Sequence, residues 1–175
     1  MNNTEYRTST SVSSEINRLV RDIDKHRAIA SDFYEELLGH ASFFKSSKEG
    51  SNSSDERKRR FKRMGVILEE LKEEYWDIND LIIELNGVEL FESKLTEEGL
   101  QITRELIDFL TQLEPAVRNA HKTLRSNELG TAGTDLLSIV ENQKFFTLNG
   151  VLKNILTEIS ALNEQFKDLR QKRIM

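Results

Sequence analysis

Cysteine is absent from this chain of 175 residues, and proline occurs only once. Without cysteine the chain can form neither a disulfide framework nor a zinc site with thiolate ligands. One proline and eight glycines are few helix breakers for this length, which favours long helices. The length suits a single domain that buries a hydrophobic core of its own.

Long apolar runs are missing as well, and none approaches the roughly 20 residues that a helix needs to span a bilayer. The first residues, MNNTEYRTSTSVSS, lack the apolar stretch of a secretory signal, and Glu5 argues against a transit peptide. We interpret residues 1–12 as a disordered lead and expect a cytoplasmic location, with the nucleus as the alternative. The net charge of −5 gives no general affinity for nucleic acid.

The sequence does contain four long segments in which apolar residues recur at spacings of three and four. This spacing predicts amphipathic helices over residues 13–44, 54–86, 96–126 and 134–172. Alternation with period two, the pattern of a strand, extends nowhere beyond a few residues. Long helices joined by short loops fold back on one another. The sequence therefore predicts an all-α protein, an antiparallel up-down four-helix bundle that forms a single domain over residues 13–175.

The second helix has the most regular pattern, which is typical of a coiled-coil seam. A capping box of Ser53 and Glu56 would begin this helix. Gly87 would end it by adopting the left-handed conformation. Its predicted core residues are Phe61, Met64, Leu68, Leu71, Tyr75, Ile78, Ile82 and Leu85.

The other helices are less regular. The predicted core face includes Phe33 in the first helix and Val151 in the fourth. Residues 88–95 fit either an extended link or a helical turn. Pro115 either kinks the third helix or restarts it, because proline lacks the backbone N–H that a helix interior uses. Asn149-Gly150 weakens the fourth helix midway, although we expect that helix to continue.

Histidine is the residue type most often found in metal and proton-transfer sites, and the first helix carries two of the three histidines. His26 and His40 lie on one face, with Asp22 and Glu36 four residues before them. Di-iron bundles instead need a glutamate three residues before a histidine. The residues at that spacing are Ile23, Leu37 and Arg118. We therefore expect each of these two histidines to bond a neighbouring carboxylate at the edge of the core.

The chain also lacks a P-loop, a nucleophile elbow and a His-Glu-x-x-His motif. We therefore predict no catalytic, cofactor-binding or metal residue, and a protein that is not an enzyme.

A basic run, RKRRFKR, opens the second helix, where the helix dipole disfavours positive charge. Up-down topology would place it beside Lys122 and Arg125 at the end of the third helix. We predict a bundle with one basic tip, which either is simply solvated or binds the phosphates of an anionic membrane or a nucleic-acid backbone. The six cations of the run are Arg57, Lys58, Arg59, Arg60, Lys62 and Arg63.

Trp76 and Ile83 form a second apolar strip on the second helix, because they are seven residues apart and fall outside its core face. Such a strip either contacts a partner or another copy, or is covered by Leu90 and Phe91. Our leading prediction is a non-enzymatic helical interaction module, a scaffold or adaptor subunit of a larger assembly. The alternative is a phosphate-surface binder that acts through the basic tip.

Overall fold

The computed structural model describes residues 9–46, 54–88, 93–125, 140 and 143–174. Each of the four helices has 31 to 38 residues, so each is about 46 to 57 Å long. No strand occurs among the residues described. The helices are α1 (Ser9–Ser46), α2 (Ser54–Asn86), α3 (Ser93–Arg125) and α4 (Lys144–Ile174).

The helices form a closed ring in which each packs against two neighbours: α1 against α2 and α4, and α3 against α2 and α4. Contacts between α1 and α2 fix the direction of that pair. Glu36, late in α1, pairs with Arg63 near the start of α2, whereas Arg18, early in α1, pairs with Glu84 near the end of α2. These two helices are therefore antiparallel.

The last helix returns in the same way. Lys144 at the start of α4 lies over the ring of Phe109, and Ile155 further along α4 lies beside Gly99, earlier in α3. The ring of Tyr34 on α1 stacks on Phe145 at 3.9 Å between centroids. The predicted all-α, antiparallel up-down four-helix bundle is confirmed.

The bundle interior is apolar, and all eight core residues predicted for α2 are buried. The cores of α1 and α4 differ in part from the prediction. Tyr34 is fully buried on α1, whereas Phe33 is only partly buried. On α4, Phe145 and Leu156 enter the core, but Val151, which was predicted to line it, is 37% exposed.

The interior of the bundle also contains a few buried polar groups. The amide Nδ2 of Asn163 on α4 donates to the carbonyl oxygen of Ser13 at 3.0 Å and to Oδ1 of Asn17 at 2.9 Å, both on α1. The hydroxyl of Tyr34 donates to the carbonyl oxygen of Val140 at 2.6 Å. Because an unpaired buried polar group is costly, the two hydrogen bonds of Asn163 restrict how α4 can sit against α1.

The end of α2 matches the predicted position but not the predicted conformation. The helix ends at Asn86, but Gly87 does not adopt the left-handed conformation. Its amide is instead shared between the carbonyl oxygens of Ile83 at 3.2 Å and Glu84 at 3.1 Å, and Val88 donates to Leu85. The last turn therefore tightens toward 3₁₀ geometry, which satisfies these carbonyls without a positive φ.

Pro115 does not restart α3, because the helix is continuous from Ser93 to Arg125. The side chain of Pro115 is exposed. Proline removes the hydrogen bond to the carbonyl of Thr111, four residues earlier, at a point where water can replace it. The fourth helix, α4, likewise continues through Asn149 and Gly150, as expected.

Several helix boundaries differ from those predicted. The first helix begins at Ser9, inside the segment that we interpreted as a disordered lead, and the third begins at Ser93. The fourth helix is described from Lys144 onward, and its predicted start at Thr134 lies outside the described residues. Residues 1–8, 89–92 and 126–139 lie outside the described part of the chain, as does the proposed cap Ser53.

Candidate functional site

His26 does not bond Asp22, the carboxylate one turn before it. Its Nδ1 hydrogen-bonds Oε2 of Glu74 on α2 at 2.5 Å, whereas Asp22 pairs with Arg18 at 3.5 Å. The expected carboxylate partner is therefore present, but it comes from the neighbouring helix. Both members of the pair are partly buried, with 29% of the His26 side chain and 19% of the Glu74 side chain exposed.

A third potential ligand lies beside this pair. Asp77 follows Glu74 by three residues, which puts both carboxylates on the same side of α2. One side-chain nitrogen of His26 and one oxygen each from Glu74 and Asp77 all lie within 4.8 Å of one another. We name these three residues the α1/α2 triad. They are the residues, among those described, that could together hold a metal ion.

His40 does bond the carboxylate one turn before it. Its Nε2 donates to Glu36 at 3.2 Å, and Nδ1 accepts from Arg60 of α2 at 3.2 Å. Arg63 makes a two-point contact with Glu36, at 2.7 and 3.1 Å. The hydrogen bond from Arg63 is the main cause that lowers the pKa of Glu36; burial opposes it, and the hydrogen bond from His40 lowers the pKa further. The guanidinium of Arg60 also lies 3.7 Å from the ring centroid of Phe43.

Arg60 and Arg63 are therefore occupied in holding α2 against α1. Lys58, Arg59 and Lys62 are exposed, and among the described residues no carboxylate pairs with them. Arg57 is half-buried. The basic run thus contributes two structural cations and a group of exposed ones, a division that the sequence pattern did not reveal.

The end of α3 lies beside the start of α2, because the ring of His121 stacks on Phe61 at 4.8 Å. This register places the exposed side chain of Lys122 at the same end of the bundle as the basic run. Arg125 is the last residue of α3, but its side chain lies outside the described part of the structure.

A groove of about 230 Å³ runs between α2 and α3 near this end. Its apolar walls come from Phe61, Leu68 and Val117, and Gly65 opens it because this residue has no side chain. Acidic and basic side chains, Glu69, Glu114, Arg118 and His121, complete its lining.

Lys72 crosses between the two helices beside this groove and bonds both Glu114 of α3 and Glu69 of its own helix. These carboxylates raise the pKa of the lysine, Glu114 most strongly.

Trp76 and Ile83 are each 51% exposed on the outer surface of α2. Trp76 is one helical turn after Lys72, so it lies on the flank of α2 that faces α3. We name Trp76 and Ile83 the α2 apolar strip. Leu90 and Phe91, which were considered as a cover for it, lie outside the described residues.

Across the described residues, none of the helices is both long and apolar enough to cross a membrane. Comparison of the chain with protein-family models, curated proteins and solved structures gave no significant match.

Proposed function

We propose that this protein is a non-enzymatic helical interaction module, a scaffold or adaptor that contacts a partner protein through the α2 apolar strip. The observation that carries the proposal is the half exposure of Trp76 and Ile83 on a helix whose opposite face is fully buried. Tryptophan is the residue type most enriched where binding energy concentrates at interfaces. An exposed tryptophan with an isoleucine two turns away supplies a compact apolar anchor.

The residues next to the α2 apolar strip hold its backbone in place for contact with a partner. Tyr75 and Ile82, which immediately precede the two strip residues, are buried in the core. The backbone under the strip is therefore fixed before any partner binds, and little conformational entropy is lost on association. The charged bridge from Lys72 to Glu114 lies on the same flank and would form part of the polar rim around the contact.

The test is recovery of partners by a tagged full-length chain, followed by mass spectrometry. Trp76→Ala combined with Ile83→Asp is expected to release partners that the unmodified chain retains. Val151→Asp is the matched control, because Val151 is also an exposed apolar residue but lies on α4. Retention of every partner by the double variant would rule out this strip as the contact. Sedimentation of both proteins shows whether the partner is another copy.

A second candidate function is binding to a phosphate surface, an anionic membrane or a nucleic-acid backbone, through the basic tip. It is favoured by Lys58, Arg59 and Lys62, which are exposed and have no carboxylate partner among the described residues. Such binding would weaken steeply as salt increases, because each phosphate contact releases a counterion.

This alternative predicts retention on heparin or on vesicles that contain anionic lipid. Replacing Lys58, Arg59 and Lys62 by alanine is expected to abolish retention at physiological salt, while Arg60 and Arg63 stay to hold α2 against α1. The matched control removes the same charge elsewhere, by replacing the exposed Arg21, Lys25 and Lys153 with alanine. Equal retention of the two triple variants would exclude the tip as the binding site.

A further inference from the structure

We propose that the α1/α2 triad of His26, Glu74 and Asp77 binds one divalent transition-metal ion of the Zn²⁺ type. The proposal is independent of the interaction function, because the triad lies between α1 and α2 and the α2 apolar strip faces α3. It also revises our sequence-based prediction that the chain has no metal residue.

The spacing of the donor atoms is compatible with one ion. Zinc binds histidine nitrogen and carboxylate oxygen at about 2.0 to 2.2 Å, so ligand atoms around a four-coordinate ion lie roughly 3.3 to 3.5 Å apart. The three donor atoms of the triad already lie within 4.8 Å of one another. His26 Nδ1 and Glu74 Oε2, now 2.5 Å apart, would separate by about 1 Å. We expect side-chain rotations of His26 and Glu74 to supply this change.

The donor set selects the class of ion. Imidazole nitrogen is a poor ligand for Mg²⁺ and Ca²⁺, which prefer oxygen, but it suits Zn²⁺, Ni²⁺ and Cu²⁺. Two carboxylates and one neutral imidazole carry a charge of −2, which balances a divalent cation. For Nδ1 to bind the ion, this nitrogen must carry no proton, so the neutral ring holds its proton on Nε2.

The surroundings leave the carboxylates available. Two cations flank His26 in the sequence: Arg27 bonds Asp24 at 2.8 Å, and Lys25 is exposed and pairs with no carboxylate among the described residues. No lysine or arginine pairs with Glu74 or Asp77 within the described ranges, in contrast to Glu114, which is held by Lys72. The hydrogen bond to His26 satisfies Glu74 but leaves Asp77 without a partner among these residues. A metal ion would satisfy both carboxylates at once.

The site is open on one side. Asp77 is exposed, so an ion can enter from solvent, and three protein ligands leave a fourth position for water or another donor. Because the ligands come from two helices, the ion would cross-link α1 and α2 near the middle of the bundle. It would therefore stabilise the folded chain, because the unfolded chain does not hold the three ligands together.

The experiment is titration of the metal-free full-length protein with Zn²⁺, followed by calorimetry and by elemental analysis after dialysis. We expect one ion per chain and a rise in Tm of about 5 °C or more at Zn²⁺ concentrations a hundredfold above Kd. Equal concentrations of Mg²⁺ are expected to leave Tm unchanged. Co²⁺ bound at the same site is expected to show visible absorption that Zn²⁺ abolishes.

Each of His26→Ala, Glu74→Gln and Asp77→Asn is expected to weaken Zn²⁺ binding at least tenfold. Asp80→Asn and His40→Ala are the matched controls, because they remove similar groups from the same two helices outside the triad. Asp77→Asn changes only an exposed side chain, so it keeps the test decisive if a more buried variant fails to fold. The proposal is overturned if the unmodified chain binds no Zn²⁺, or if Asp77→Asn binds it as tightly.

Discussion

Tyr75 of α2 donates a hydrogen bond of 3.0 Å to Oδ1 of Asn149 on α4, across the interior of the bundle. These two helices are diagonal neighbours, since each packs only against α1 and α3. The ring of Tyr75 also meets the edge of Phe145, with 6.1 Å between centroids. Burial raises the pKa of Tyr75, so its hydroxyl stays protonated and remains a donor. Tyr75 and Asn149 therefore connect the diagonally opposite helices α2 and α4 by one polar contact inside an apolar core.

Tyr75→Phe is expected to destabilise the fold by about 1 to 3 kcal/mol, because it leaves the buried carbonyl oxygen of Asn149 without its donor. Urea unfolding followed by circular dichroism measures the change. Adding Asn149→Leu to Tyr75→Phe is the control, and it should recover part of the loss by removing the unpaired amide. A single variant as stable as the unmodified chain would contradict the pairing.

Two isoleucines on α2 should differ sharply in their contribution to stability. Ile78 is fully buried, and Ile78→Ala is expected to cost about 2 to 5 kcal/mol, because it leaves a cavity. Ile83 is half exposed, and Ile83→Ala should change stability by no more than about 0.5 kcal/mol. The two variants share helix and chemistry, so their denaturation midpoints compare burial directly. Similar losses at both positions would show that the strip is covered.

Glycine substitutions test the packing around two helical positions. A Cβ at Gly150 would meet nothing within 4 Å, so Gly150→Ala is expected to stabilise the protein by about 0.5 to 1 kcal/mol through helix propensity. A Cβ at Gly99 would lie 3.3 Å from Cδ1 of Ile82, so the same substitution there should gain less. Thermal unfolding of both variants checks the order, and a larger gain at Gly99 would contradict it.

The contact between Glu36 and Arg63 predicts a pH dependence. The pKa of Glu36 is lowered in the folded protein, mainly by the Arg63 hydrogen bond, so the contact stabilises the fold at neutral pH. This contribution is fully present above the ordinary pKa of a glutamate and is lost as pH falls through the lowered pKa.

Glu36→Gln is therefore expected to destabilise the protein at pH 7 and to match the unmodified chain in strong acid. The side chains of Glu36 and Arg63 are each 41% exposed. The loss of stability from Glu36→Gln at pH 7 should therefore stay below about 1 kcal/mol. Denaturation at a series of pH values measures it. Glu35→Gln, an exposed neighbour, is the control. A difference that persists unchanged in strong acid would contradict the assigned role of Glu36.

Sequence periodicity predicted most of the α2 core, because all eight positions marked by the apolar spacing are buried, but it missed Ile67, which is also fully buried. It failed where polar groups are buried. In the core, Asn149 accepts a hydrogen bond from Tyr75, and the amide Nδ2 of Asn163 donates to Ser13 and Asn17; no hydropathy pattern contains that information. The face of α4 that packs into the core includes Asn149 and excludes Val151. The core face predicted for this helix was therefore partly wrong.

The same distinction separates the two histidine contacts. His40 and Glu36 are one turn apart on a single helix, so their bond followed from spacing alone. The pairing of His26 with Glu74 depends on how far α2 is shifted along α1, a register that core packing sets. Asp77 joins the triad through that register. The α1/α2 triad was therefore not predictable from one sequence, although each member belongs to a ligand-forming residue type.

The contact of Asn163 with Ser13 joins residues 150 positions apart, whereas α1 and α2, like α2 and α3, pair through short connections. Local hairpins lose little chain entropy on closing, but docking of α4 must order the longest stretch of chain before its contacts form. We expect α1, α2 and α3 to assemble first and α4 to close the ring last. Under native conditions the amides of α4 should then exchange with deuterium before those of α2, as the least protected cooperative unit of the molecule.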